Sequence, residues 1–245
     1  MAKTILTGAR IFAGGADLTG ASNKAELSAE VEEKDVTTFA SNKWNEVVGG
    51  LASGQFKGSG YWESGDAGKV DDEMWANVGG VGVPYSVGPT AATVGSLVYF
   101  MKAMRTDYTL LGEVGEVAPW ESSATTNWPM VRGQFAHPPG TARTSSGNGS
   151  AVELVAVPAG KRLYAAVHVL AAAGVDATAD VTVESAATAD FADPVTRLTF
   201  SQASGISSQI LRTDGTAITD TYFRIAWTIA GTSPSFSFVA ALGVA

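Results

Sequence analysis

Polar and apolar residues alternate without a break from Glu26 to Glu32. Glu26, Ser28, Glu30 and Glu32 fall on one side, and Leu27, Ala29 and Val31 on the other. A period of two is strand geometry, with one face packed and one face wet. The pattern predicts a strand over 25–36 and further strands over 4–12, 55–63, 96–104, 109–120 and 127–135. Gly58 and Gly60, inside one of them, mark a bulge or a close backbone approach. A helix is predicted over 71–78. Its first turn carries Asp71, Asp72 and Glu73, where carboxylates meet unpaired amides and the positive end of the dipole. Met74, Trp75 and Val78 place apolar groups on one side, and Gly79-Gly80 ends the helix. Residues 39–48 read as a loop or helical turn, and residues 79–89, rich in Gly and Pro, as a flexible loop.

The pattern changes after His137. Residues 138–149 hold Pro, Gly, Ser, Thr and Asn and almost nothing to bury, which is linker chemistry. Beyond them, seven short strands are predicted over 151–157, 162–171, 179–185, 196–200, 208–212, 222–229 and 236–242. Spacing near ten residues with Pro-Ala-Gly, Asp-Pro and Asp-Gly turns between is a sandwich signature. The expected fold is therefore mainly β. Residues 1–140 form a β domain with one short helix, 141–149 a linker, and 150–245 an Ig-like β-sandwich with core candidates such as Leu163, Val167, Val181, Ile225, Trp227 and Phe238.

Composition narrows the function more than the fold. The net charge of −8 argues against gripping nucleic acid through its phosphates, although not against DNA sliding past. Cysteine is absent, so neither disulfides nor thiolate chemistry contributes. No signal peptide and no run of about 18 apolar residues is legible, which predicts a chain made in a cytoplasm and soluble until it assembles.

Candidate chemistry is sparse. Glu63, Asp66, Asp71, Asp72 and Glu73 lack the alternate-position spacing of a calcium loop. Glu113, Glu116 and Glu121 could pair as glycosidase carboxylates, but strand alternation puts some of them on opposite faces, so edge solubility or channel lining suits them better. His137 in the linker and His168 among apolar residues give no zinc site, and His168 reads as a packed or interface residue. No serine sits in a nucleophile elbow, and 79–89 has no Lys-Ser/Thr for a P-loop. Trp62, Trp75 and Trp227 read as core. The expectation is no enzyme, no cofactor and no metal.

One resemblance adds to this. A short first strand with the turn Gly14-Gly15-Ala16-Asp17-Leu18-Thr19-Gly20-Ala21 precedes the acidic strand, which ends Glu32-Glu33-Lys34-Asp35-Val36-Thr37-Thr38-Phe39. Trp44, the turn Gly50-Leu51-Ala52-Ser53-Gly54 and a strand ending Gly58-Ser59-Gly60-Tyr61-Trp62-Glu63 follow. This order resembles the opening of the major tail (tail tube) proteins of long-tailed, siphovirus-like bacteriophages, over roughly residues 3–140. The resemblance implies a structural virion protein whose protomers join into rings of six, stacked around a DNA channel. It implies tape-measure, terminator and distal-tail proteins as partners, and places the acidic strand at the lumen with Glu26, Ser28, Glu30 and Glu32 lining it. DNA would then pass without specific binding, repelled by like charge. Residues 39–48 and 79–89 become assembly elements, because their apolar Trp44, Val47, Val81, Val83 and Tyr85 look exposed and need a neighbour. Two other readings stand beside this one. A β-sandwich module could recognise a surface glycan or protein, or the chain could be another virion part, such as a capsid decoration or tail-end protein.

Overall fold

The computed structural model describes residues 5–245. The chain is mainly β with one short helix. The strands in order are β1 (Arg10–Ala13), β2 (Ala16–Asp17), β3 (Ser22–Asp35), β4 (Val47–Tyr61), β5 (Val81–Gly88), β6 (Leu97–Leu110), β7 (Pro119–Thr126) and β8 (Val131–His137). Then come β9 (Gly147–Asn148), β10 (Val152–Glu153), β11 (Leu163–Ala186), β12 (Val195–Thr199), β13 (Ser207–Arg212) and β14 (Tyr222–Val244). Helix α1 (Val70–Ala76) lies between β4 and β5, close to the predicted span.

All the strands belong to one connected, open sheet whose main path runs β12-β11-β14-β8-β6-β5-β1-β2. The β3–β4 hairpin joins it through β7, which pairs with both β4 and β6. The expected boundary near residue 140 is therefore crossed by backbone pairing. Phe135 opposes Ala241 and Gly133 opposes Gly243. A side chain at Gly133 would meet the Leu242 carbonyl oxygen at 2.0 Å, so the two backbones touch there because glycine allows it. Residues 141–149 are not a free tether either. Arg143 bridges to Phe236, and β9 pairs with Ala226 and Trp227. Short polar side chains leave a backbone accessible, and its amides and carbonyls pair with β14 because buried ones must be satisfied.

Four of the seven short strands expected in the second half merge into two long ones, β11 and β14, while β10, β12 and β13 remain short. β11 and β14 pair along nearly their whole length. Gly174 (φ 118°) and Gly231 (φ 111°), with Asp176 and Ser233 also at positive φ, bend this ribbon without ending its pairing. Leu163, Val167 and Val169 before the bend share a core with Val181 and Val183 after it and with Phe236 and Phe238 of β14. The ribbon thus folds back into two packed layers around its own core. The opposite face of its first arm is buried as well. Tyr164 and Ala166 join Phe12, Phe100, Phe135 and Val239 in a core built by both halves of the chain. A third core, with Phe56, Met74, Tyr85, Met101 and Trp120, lies under β3–β7 and α1.

Candidate assembly surface

The β3–β4 hairpin begins as an ordinary half-buried ribbon. Leu27 packs against the Phe56 core, opposite Phe56 itself. Beyond Ser28 the support ends. From Ala29 to Ser53 every residue is exposed except Ser41, so both faces of the hairpin stand free of the body. The outer edge of β3 has no strand partner among the described residues. The tip is nonetheless ordered by its own hydrogen bonds. Thr37 N donates to Asp35 Oδ1 (2.8 Å), Glu46 N to Thr37 Oγ1 (2.9 Å) and Val36 N to the Glu46 carbonyl (2.9 Å). Thr37 holds the Asp35 carboxyl below its ordinary pKa by hydrogen bonding. The free arm carries Val31, Val36, Phe39, Trp44, Val47, Val48 and Leu51 in the open.

Alternation in β3 holds, but its wet face is not purely acidic. Lys24 and Lys34 share the parity of Glu26, Ser28, Glu30 and Glu32, and Lys57 of β4 stands directly opposite Glu26. Lys24 lies 3.5 Å from Glu26, and Lys34 pairs with Glu32. These exposed pairs cancel charge more than they stabilise. The like-charged lining expected from three carboxylates is corrected to a mixed face. Further across the sheet Lys24 and Lys57 share a polar groove with Asp107 and Glu121, so charges of both signs meet there too.

Of the expected assembly residues, Trp44, Val47 and Val81 are exposed, whereas Val83 and Tyr85 are buried. The segment 79–89 is not a loop. It forms β5, held between β1 and β6. Gly82, at φ 96°, takes up a register shift between Val81 and Val83, which turns the following odd positions into the core. Tyr85 there accepts a hydrogen bond from Arg105 Nε at 2.8 Å. Arg105 is itself fully buried, donates to the Met74 carbonyl (3.1 Å) and sits 3.7 Å from Glu73. Glu73 accepts from Gly15 N (3.1 Å) and Asn77 Nδ2 (2.7 Å). Burial raises the Glu73 pKa against the pull of Arg105, and burial pushes Tyr85 up to about 12. This cluster fastens α1 to the sheet. Its sequence signal was an arginine three residues after Lys102 in the mostly apolar first part of β6. Trp75, expected in the core, is exposed, because the buried stripe of a seven-residue helix is Val70 and Met74. Trp120, not singled out by sequence, is fully buried and donates to the Ala21 carbonyl (3.0 Å).

Both histidines are structural pins. His168 Nδ1 lies 2.7 Å from the Gly14 carbonyl and Nε2 lies 2.8 Å from Ser86 Oγ. A carbonyl only accepts, so Nδ1 carries the proton and the serine hydroxyl donates to Nε2. His137 likewise donates from Nδ1 to the Phe238 carbonyl (3.0 Å) and accepts from Arg143 Nε (3.1 Å). Burial pushes both pKa values down to about 4, keeping the rings neutral. Among the described residues no cluster of three His, Asp or Glu is placed to hold a metal, and no helix is long and apolar enough to cross a membrane.

No protein-family model matches the chain, and no curated protein matches it in sequence. Solved structures similar to it include a chain in the virion of a native gene transfer agent particle. There the identity is 18% over 52% of this chain and 97% of the other, with a TM-score of 0.42. The SPP1 tail tube is similar at 13% identity, over 51% of this chain and 77% of the other, with a TM-score of 0.40. The SPP1 Dit protein, described as a hub of the adsorption apparatus of phages infecting Gram-positive bacteria, is similar over 97% of this chain and 99% of its own, at 10% identity and a TM-score of 0.36.

Proposed function

We propose that this chain is a structural subunit of a phage tail, polymerising into stacked six-membered rings around a DNA channel. The observation that carries this reading is the free arm. Twenty-five consecutive residues of which all but Ser41 are exposed, Phe39, Trp44 and Leu51 among them, are costly for a monomer. A second copy of the chain supplies the missing cover, and the unpaired outer edge of β3 supplies backbone groups for pairing between protomers. The even-numbered face of β3, with Glu26, Ser28, Glu30 and Glu32, is the surface turned to the channel. Its interleaved lysines make it a weakly charged, hydrated wall rather than a repulsive one. Phosphates slide along such a wall without a specific site, since ion pairs within the face leave few free cations. In the particle, tape-measure, terminator and distal-tail proteins are the partners at the lumen and the two ends.

Negative-stain microscopy of the purified full-length protein tests this. The expected images are rings and tubes of uniform width. Phe39→Ser with Trp44→Ser should give a folded protomer of unchanged thermal stability that forms neither. Monodisperse small particles from the unaltered protein at high concentration would sink the reading.

A further inference from the structure

The free arm ends in a tip with a fixed shape. Asn42 (φ 47°) and Lys43 (φ 71°) both sit in the left-handed region, and Trp44 N donates to the Ser41 carbonyl (3.0 Å). These two residues close a tight turn that non-glycine residues adopt at a cost. Ser41, the one buried residue of the arm, accepts through its hydroxyl from Thr38 N (3.0 Å). This frame holds Phe39 wholly exposed and Trp44 79% exposed. A tip ordered before it binds loses little entropy when it does.

The other end of the same hairpin carries a groove of about 490 Å³. It opens where the base of β3 meets β1, β5 and β6, and Ile11, Ala25, Leu27, Val87, Pro89 and Tyr99 line it. Ligand pockets span about 300–1,000 Å³, and this one takes an indole and a phenyl ring. Among the described residues Lys24 is the only lining side chain charged at neutral pH.

Charge and area select the occupant. The arm carries Glu30, Glu32, Glu33, Asp35 and Glu46 against Lys34 and Lys43, so a cationic wall suits it. The contact of Lys24 with Glu26, at 3.5 Å in the open, is too weak to remove that preference. A stable interface takes about 20–30 residues a side. The groove alone falls short of that, and the twenty-five residues from Ala29 to Ser53 reach it.

The tip cannot reach its own groove. The eight steps from Leu27 to Asp35 cover roughly 26 Å at about 3.3 Å per residue, and β4 stays paired with β3 along them. A tip at one end that fits a groove at the other makes a heterologous contact between copies, the kind that closes into rings or repeats as a stack.

We propose that the arm tip of one copy seats Phe39 and Trp44 in the groove between Leu27 and Tyr99 of the next copy, with Lys24 beside the acidic flank of the arm. This rests on the tail-subunit reading and names the surface that receives the arm.

The test fills the groove and leaves the arm intact, on the full chain. Ala25→Phe should keep the melting temperature and raise the protein concentration needed for assembly at least about tenfold, as for loss of an interface anchor. Thr7→Trp, at an exposed position of the same rim, should do the same and serves if Ala25→Phe disturbs the fold. Ala25→Phe keeps a working arm, and Phe39→Ser with Trp44→Ser keeps a working groove. In sedimentation velocity each should stay monomeric alone, and an equimolar mixture should give dimers and nothing larger. The chain has no cysteine, so Asn23→Cys on the groove rim and Lys43→Cys on the tip give a clean cross-link. A short bis-maleimide should join the doubly substituted chain into a ladder of covalent oligomers. Normal assembly by both groove-filling variants, a mixture that stays monomeric, or a link formed only within one chain overturns the contact and leaves the tail-subunit reading intact. An unaltered protein that forms neither rings nor tubes overturns both.

Discussion

The free arm and the first half of β11 are the same kind of object, an extended strand with apolar residues, in opposite surroundings. From Ala29 to Ser53 nearly every residue is exposed. From Leu163 to Val169 every residue is buried. In β11 the odd residues face the folded-back ribbon, and the even ones face Phe12, Phe135 and the Gly14–Ser86 pair. The difference teaches where the chain ends its own packing. β11 finds partners for both faces within one molecule, so its side chains carry stability. The arm finds almost none, so under the proposed function its side chains contribute to association. Side chains in the first region should change unfolding and not assembly, and those in the second the reverse.

The sharpest way to break this comparison is Phe135→Ala. Phe135 is fully buried, with its ring 5.9 Å from Phe12 in the core both halves build. The expected loss is about 3–5 kcal/mol of unfolding free energy in a denaturant titration. A loss under about 1 kcal/mol would mean that the halves do not depend on the shared core.

Acid is the next largest lever. The folded pKa of His168 is about 4 against an ordinary 6.5, so the unfolded chain binds the proton first. The stabilising contribution is whole above pH 6.5 and is lost as pH falls from 6.5 to 4, amounting to about 3 kcal/mol. Denaturant midpoints measured across that window should fall with pH. They should fall less in His168→Gln, which is already weaker at pH 7 and has no ring to titrate. Equal slopes in the two proteins would remove His168 from the account.

A smaller effect is expected at the buried cluster that fastens α1. Glu73→Gln keeps acceptors and donors near Gly15 N and Asn77 but leaves Arg105 without its carboxylate, at a cost of about 1–3 kcal/mol. Thermal melting reads this, and tube formation at low temperature should persist. Smallest of all, Trp44→Ser should alter unfolding free energy by less than about 0.5 kcal/mol, because the ring is 79% exposed. A cost of several kcal/mol there would show that the arm packs on its own body in solution.

The strand content, the position of the helix and the alternation of β3 were legible because each follows from nearest-neighbour geometry. Carboxylates in a first turn and a period of two state their structure locally, whereas the expected Gly-Gly stop came late, since α1 ends at Ala76 and Val78 bridges to Arg105. Residues 79–89 were misread for the same reason. Glycine and proline signal a turn locally, yet two flanking strands and a bulge at Gly82 keep the segment extended and bury Tyr85. The mixed charge of the β3 face was half legible, since Lys24 and Lys34 lie on its parity, but Lys57 comes from another strand and only the register sets it opposite Glu26.

By itself the sequence determined a mainly β chain, one short helix, no thiol chemistry and an acidic surface, because composition and short-range pattern act before any fold exists. Tertiary structure alone decided that the halves share one sheet and a core, that two glycine bends turn β11 and β14 into a folded ribbon, and that the hairpin leaves the body at Ala29. Each of those depends on which distant backbone lies alongside: Gly133 against Leu242, Gly231 against Asp176, His168 against Gly14 and Ser86. Pairings across fifty residues or more are set by packing free energy summed over the whole chain, and no local pattern records them.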